Sequence, residues 1–293
     1  MLKYIEVKAM ELRILRYFLA IVQEQSISHA AEKLHLTQPT LSRQIKDLEE
    51  EFGKQLFVRG NRQITLTEEG VLLKKRAEEL IELADKTISE MTESDNQLNG
   101  EIYIGSGETT CIEPIFKCIK DFQYEYPNIH FHIISSHKDD LQDKLNQGLV
   151  DFSIVIDNID KTKYDYFLLP NFDYFSILMR RDDPLASKKV IDETDIQDLP
   201  LIVSKQSLID NYLPHYIKSS QIVATYNLAF NATMMVKEKI GYALVLNNLN
   251  YHPELTSIPF KNSEKLYWHI IWKRNQPLGP AKRKFIEKLP NYL

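Results

Sequence analysis

A chain of 293 residues that is 43% apolar and 26% charged, with nine glycines and twelve prolines, belongs with folded globular proteins and not with disordered, collagenous or disulfide-stapled ones. Thirty-six basic against forty-one acidic residues leave a formal charge of −5, which excludes a general cationic coat, so any hold on nucleic acid has to come from a local arrangement. The opening residues carry no apolar signal core and no stretch approaches the roughly 18 apolar residues of a membrane span, so the expectation is a cytoplasmic protein of about two domains without membrane contact.

The first hundred residues read as helical and the remainder as alternating strands and helices, with the polar stretch 92–100 (TESDNQLNG) as the joint. Leu12, Leu15, Leu19 and Val22 form the stripe of a first helix. Ser26 and Ser28 offer N-caps to a short second helix that turns Ala30, Ala31 and Leu34 inward. His35-Leu36-Thr37 is a tight connection into a third helix, where Thr37 can cap and Pro39 is tolerated because first-turn N–H groups have no intrahelical partner. Leu41, Ile45, Leu48 and Phe52 define its buried face. At about 100° per residue, Pro39, Ser42, Arg43 and Lys46 fall together on the opposite side. An apolar spine backed by such donors suits a major-groove reader, although a solvated helix face would look the same in isolation.

The next segment decides between them. Residues 56–58 and 63–66 are two β-prone runs joined by Arg59-Gly60-Asn61-Arg62, a hairpin with an arginine on each side of its tip. Such a wing can lay its cations against phosphates or in a minor groove. From Glu11 to Gly70 the chain resembles the LysR-type transcriptional regulators almost position by position. The most specific matches are SHAA (28–31), LTQPTLSRQI (36–45), Leu48-Glu49, Leu56-Phe57 and LTEEG (66–70). The resemblance implies a winged helix-turn-helix in which Gln38, Pro39, Ser42, Arg43 and Lys46 face the major groove of double-stranded DNA. It also implies that Ser26 and Ser28 lie near phosphates and that Arg59 and Arg62 belong to the wing. Residues 1–9 precede the usual family start. The reading domain is expected over 10–68.

Thr67 can cap a helix running over 67–92, with Glu68 and Glu69 near its positive end. Leu73, Ala77, Leu80, Ala84 and Met91, with Ile81 and Ile88, give it a long apolar stripe. A helix of about 25 residues spans roughly 37 Å and needs a partner for such a stripe. It reads as an antiparallel dimerisation seam between two copies of the chain, as the resemblance also implies, with a tetramer as the next step.

Beyond Gly100, strands are expected at 102–105, 129–134, 151–156, 176–179, 200–203, 242–246 and 267–272, with helices near 114, 139–147, 227–239 and from Pro280. Cys111 and Cys118 would lie roughly 10 Å apart on one helix, too far for a disulfide, and read as core thiols. The string GSGETT (105–110) mimics a dinucleotide fingerprint but lacks its third glycine and the ribose-binding acid, so no cofactor is expected. The element order resembles the effector domain of the same family over residues 101–293. That resemblance implies two periplasmic-binding-protein-like α/β lobes, expected at 101–166 plus 264–293 and at 167–263. The fold class is therefore multidomain: a mainly helical winged helix-turn-helix, a long linker helix, and a two-lobed α/β effector domain.

Ligands of open α/β sheets sit at the carboxyl ends of strands. Here those ends carry Ser106, Thr109, Thr110, Ser136, His137, Ser204 and Tyr226, which makes them the candidate effector-binding residues. An enzyme lacks support, since no H-E-x-x-H, G-x-S-x-G or P-loop occurs and the histidines show no metal-ligand spacing. A free-standing solute receptor would leave the DNA-reading half unexplained. The expectation is a non-enzymatic, effector-controlled transcriptional regulator without metal or cofactor. Its partners would be promoter or operator DNA, a second copy of itself, a small effector of the carboxylate or amino-acid class, and RNA polymerase. Glu108 and Glu113 bear on that class, because either one turned inward would occupy an anion slot in the cleft.

Overall fold

The computed structural model describes residues 10–59, 64–92, 98–156, 159–209, 213, 217–247, 252–261 and 263–293, and it divides into two compact units, 1–91 and 92–293. In the first unit, α1 (Leu12–Glu24), α2 (Ile27–Lys33) and α3 (Gln38–Phe52) are followed by the antiparallel strands β1 (Phe57–Arg59) and β2 (Ile64–Leu66) and by α4 (Glu68–Thr92). Ser26 Oγ accepts the His29 N–H at 3.3 Å and Thr37 Oγ1 accepts that of Thr40 at 3.4 Å, as expected, whereas Ser28, the other cap offered for α2, lies inside that helix. Between them His35 takes a left-handed turn, φ +55°. The core side of α1 is Ile14, Leu15, Phe18 and Ile21, one step rotated from the expected stripe, and Leu12 is exposed. These side chains share one buried core with Ala30 and Ala31. Leu41, Ile45 and Leu48 are buried as expected, whereas Phe52, in the last turn of α3, is exposed.

Glu49 Oε1 accepts the backbone N–H groups of Leu56, at 2.7 Å, and Phe57, at 3.3 Å, tying the recognition helix to the wing's first strand. Thr67 Oγ1 accepts the Gly70 N–H at 3.0 Å and so caps α4. Gly70 admits no side chain, since a Cβ there would lie 2.1 Å from the Leu56 carbonyl oxygen. This close approach seats the start of α4 on the reading domain. It also divides the expected dimerisation stripe. Ala77 is fully buried in the unit's own core, with Leu73 and Ile81 packed against it. Leu80, Ile88 and Met91 remain exposed, joined by Leu72 and Leu83 on the adjoining flank.

The second unit holds two five-stranded sheets. The first, in the order β4-β3-β5-β12-β6, combines β3 (Gly100–Ser106), β4 (Ile129–Ser135), β5 (Phe152–Ile156), β6 (Tyr164–Asp173) and β12 (Leu266–Lys273), parallel at β4-β3-β5 and antiparallel beyond. Against it lie α5 (Glu113–Glu125), α6 (Lys138–Gln147) and α10 (Pro280–Lys288), around a core that contains Phe122, Phe152, Trp268 and Phe285. The second sheet, β11-β7-β10-β8-β9, comprises β7 (Phe175–Arg180), β8 (Leu201–Ser204), β9 (Ile222–Tyr226), β10 (Tyr242–Leu246) and β11 (Leu255–Pro259). Its helices are α7 (Glu193–Ile196), α8 (Lys205–Ile209) and α9 (Ala229–Lys237).

The crossing between lobes falls after Asp173, not at the expected 166/167. Residues 164–173 pair along β12 as one continuous strand of the first sheet, and splitting it would leave backbone groups without partners. Cys111 and Cys118 are buried free thiols. Burial pushes them up to about 11 and about 12, respectively, so both stay protonated and unreactive near neutral pH.

Candidate functional site

On α3 the buried spine faces the domain, and Gln38, Pro39, Arg43 and Lys46 are exposed on the other side, with Ser42 half-buried. Lys46 pairs with Glu50, at 3.3 Å across one helical turn, and with no other acid among the described residues. Such an exposed pair contributes little, so the ammonium is free to exchange it for a phosphate. Ser28 is exposed. Ser26 is half-buried, and its oxygen serves as the α2 cap. Arg59 ends β1; its side chain, together with Arg62 and the rest of the hairpin tip at 60–63, lies outside the described residues.

In the second unit a cavity of about 130 Å³ opens between the lobes, at the carboxyl ends of β3, β4 and β5 on one side and of β8, β9 and β10 on the other. Ser136, His137, Ser204 and Tyr226 line it, four of the seven residues expected there. The Tyr226 hydroxyl donates to the Leu244 carbonyl at 2.7 Å, so this side chain contributes its ring more than its polar tip. His137 occupies the N-cap position of α6 without a side-chain cap bond, and Ser136 does not cap the helix either.

Ser106, Thr109 and Thr110 are placed elsewhere. Ser106 is buried and donates to the adjacent Gly107 carbonyl at 2.7 Å. Thr109 is buried too: its oxygen caps a 3-10 turn by accepting the Cys111 N–H, and its O–H donates to Asp173 Oδ2 at 2.5 Å. Thr110 opens that turn and points to solvent. The turn also moves the start of α5, so that Glu113 is its first residue and Pro114 its second. An arriving chain that must satisfy a buried aspartate turns its hydroxyl into its own lobe and away from the cleft.

What the strand-end rule missed comes from distant parts of the chain. Trp268, Phe175, Leu246 and Leu266 supply apolar wall, and Trp268 Nε1 donates to Asp173 Oδ2 at 2.8 Å behind it. Across the opening, Gln206 Nε2 donates to Asp139 Oδ2 at 3.4 Å. Glu108 turns inward and accepts the Ala229 N–H at the start of α9, joining the two lobes directly. Among the described residues no group of three or more His, Cys, Asp or Glu side chains is arranged to hold a metal ion, and no helix is long and apolar enough to cross a membrane.

Comparison with known proteins agrees with both halves. Residues 12–71 match the model for bacterial regulatory helix-turn-helix proteins of the lysR family, and residues 95–293 match the LysR substrate binding domain. The HTH-type transcriptional regulator BsdA of Bacillus subtilis is 33% identical over 196 residues, covering 66% of this chain and 67% of that protein. The Hca operon transcriptional activator HcaR of Escherichia coli is 28% identical over 94% of this chain and 96% of its own. Among solved structures, the LysR family regulator CbnR superposes with a TM-score of 0.73 at 17% identity, over 97% of this chain and 99% of that one. With a helix-turn-helix match at one end and a substrate-domain match over most of the remainder, the chain belongs to the LysR family of DNA-binding transcriptional regulators, whose effector is bound by the two-lobed domain.

Proposed function

We propose that the chain recognises a specific operator through α3 and its wing, acts as a homodimer or homotetramer, and answers to a small molecule held in the interlobe cavity. The observation that carries the reading is the division of α3 into a buried Leu41-Ile45-Leu48 spine and an exposed face with Gln38, Pro39, Arg43 and Lys46. Ser42 at its edge, the phosphates near Ser26 and Ser28, and the wing arginines Arg59 and Arg62 complete the proposed contact. CbnR, whose fold this chain shares, has been solved in complex with its target DNA. The protein works in the cytoplasm, where operator DNA and RNA polymerase are found, and it performs no catalysis of its own.

The effector is small. A cavity of about 130 Å³ is close to the ~150 Å³ that accommodates benzene, so one ring or one branched alkyl chain with a polar head fills it. The head belongs to the carboxylate or amino-acid class, and Ser136, His137 and Ser204 are its neutral or basic neighbours.

Gel shifts on the DNA flanking the chain's own coding region test the first part. Loss of Arg43, if bidentate to guanine, should cost about 1–3 kcal/mol and relax specificity at one base. Loss of Lys46 should weaken all sequences alike and lower the salt dependence by about one phosphate contact. A double Arg43→Ala, Lys46→Ala variant with unchanged operator affinity and specificity would sink the assignment.

A further inference from the structure

We infer that Glu108 makes the cavity selective for an effector bearing an ammonium group, a small apolar amino acid or amine, over the plain carboxylic acid of the same shape. The inference rests on the reading of the interlobe cavity as the effector site.

A cleft closed by a helix N-terminus ordinarily favours an anion, because free N–H groups and the helix dipole both point into it. In this chain a side chain already fills that role. Leu228, at the N-cap position of the nine-residue α9, provides no cap bond. The carboxylate of Glu108 reaches over from the other lobe and accepts the N–H of Ala229, the helix's first residue. Among the described residues its second oxygen, Oε1, carries no hydrogen bond and forms no ion pair with a lysine, arginine or histidine. A negative charge therefore stands in a wall that includes the apolar Phe175, Leu246, Leu266 and Trp268, with His137 and Lys138 also on the lining.

A plain acid can set its carboxylate on the Ser136, His137 and Lys138 side of the cavity, but it then leaves Glu108 without a counter-charge, and anywhere nearer it adds a second negative charge in surroundings that screen it less than water does. An ammonium group supplies the missing counter-charge and donates a charge-assisted hydrogen bond to the open oxygen. When the ligand is an amino acid, its carboxylate is left to the Ser136, His137 and Lys138 side of the cavity.

Calorimetric titration of the full chain with two matched sets tests the inference. One set shares a ring (benzylamine, phenylglycine, benzoate) and the other a branched alkyl chain (isoamylamine, leucine, 4-methylvalerate). The parent should bind at least one amine-bearing member about tenfold or more tightly than its matched acid. In Glu108→Gln, whose amide oxygen can still accept the Ala229 N–H, that preference should vanish or reverse. In Ser136→Phe, which fills the cavity, all binding should be lost. Equal or tighter binding of the matched acid by the parent, an unchanged preference in Glu108→Gln, or no binding of any amine-bearing probe would overturn the role given to Glu108. Binding that persists in Ser136→Phe would instead remove the cavity as the site, so the two failures are told apart.

Discussion

Asp173 has no solvent exposure, and one of its oxygens takes both the Thr109 O–H and the Trp268 N–H while the other has no hydrogen-bond partner among the described residues. Burial holds its carboxyl above the ordinary aspartate value, against the opposing pull of the hydrogen bonds from Thr109 and Trp268. The folded chain therefore binds this proton more tightly than the unfolded chain does. The stability it contributes is complete below the ordinary aspartate pKa and is lost as pH rises through the folded value. Replacing Asp173 with Asn removes the titration, so the melting temperature of the parent relative to Asp173→Asn should fall as pH rises through the range above the ordinary aspartate value. A constant difference across that range would show that Asp173 does not titrate in this way. Thr109 belongs to the same cluster, and Thr109→Val, which takes away one O–H donor and one turn cap, should cost about 1–3 kcal/mol of stability. Ligand affinity measured on the folded fraction should stay the same, which separates this buried role from the cavity role expected of its residue type.

At the scale of elements, the helix-turn-helix was legible because everything that specifies it is local. Capping hydroxyls at Ser26, Thr37 and Thr67 and apolar residues at helical spacing are all visible within a few positions. The linker helix shows where such reading stops. A stripe of Leu73, Ala77, Leu80, Ala84 and Met91 says that a helix needs a neighbour and not which one, and the approach permitted by Gly70 gives Leu73 and Ala77 to the chain's own core. The seam proposed for a second copy is then the exposed flank with Leu72, Leu80, Leu83 and Met91. Leu80→Glu with Leu83→Glu should convert a dimer to a monomer in sedimentation at micromolar concentration, since each charge faces its own kind across a two-fold axis. Ala77→Glu should instead unfold the reading domain. If the double variant sediments like the parent, the seam lies elsewhere. The effector half was legible as strands and helices, but its lobe boundary was not: the turn-prone Pro170-Asn171 lies inside β6, while the chain passes from one sheet to the other at Tyr174, where no glycine or proline marks the crossing. For the same reason Ser106, Thr109 and Thr110 could not be told from cavity residues, because the partner that draws Thr109 inward stands 64 positions away.

For the whole molecule, regulation requires that the effector distinguish two arrangements of the chain; a ligand with equal affinity for both changes nothing. Two contacts across the cleft, Glu108 with the Ala229 N–H and Gln206 with Asp139, can differ between a more open and a more closed pair of lobes. A molecule entering the cavity reweights those arrangements by competing with these contacts or adding to them. Where the arrangement of the lobes is in turn felt by the DNA-bound oligomer, effector and operator are coupled, and coupling in binding free energy is reciprocal. Saturating operator DNA should then change the effector's dissociation constant by the same factor by which the effector changes operator affinity, typically about 5- to 150-fold. Both factors can be measured at one salt concentration, which matters because operator affinity varies steeply with salt. Substituting Gln206 with Ala removes one cross-cleft bond that spans 3.4 Å while leaving every DNA-facing residue in place. It should shift the effector's affinity in free protein and alter the coupling factor without changing operator affinity measured in the absence of effector by more than the lobe equilibrium demands. An effector whose affinity is identical with and without operator would mean that the cavity does not communicate through binding equilibria.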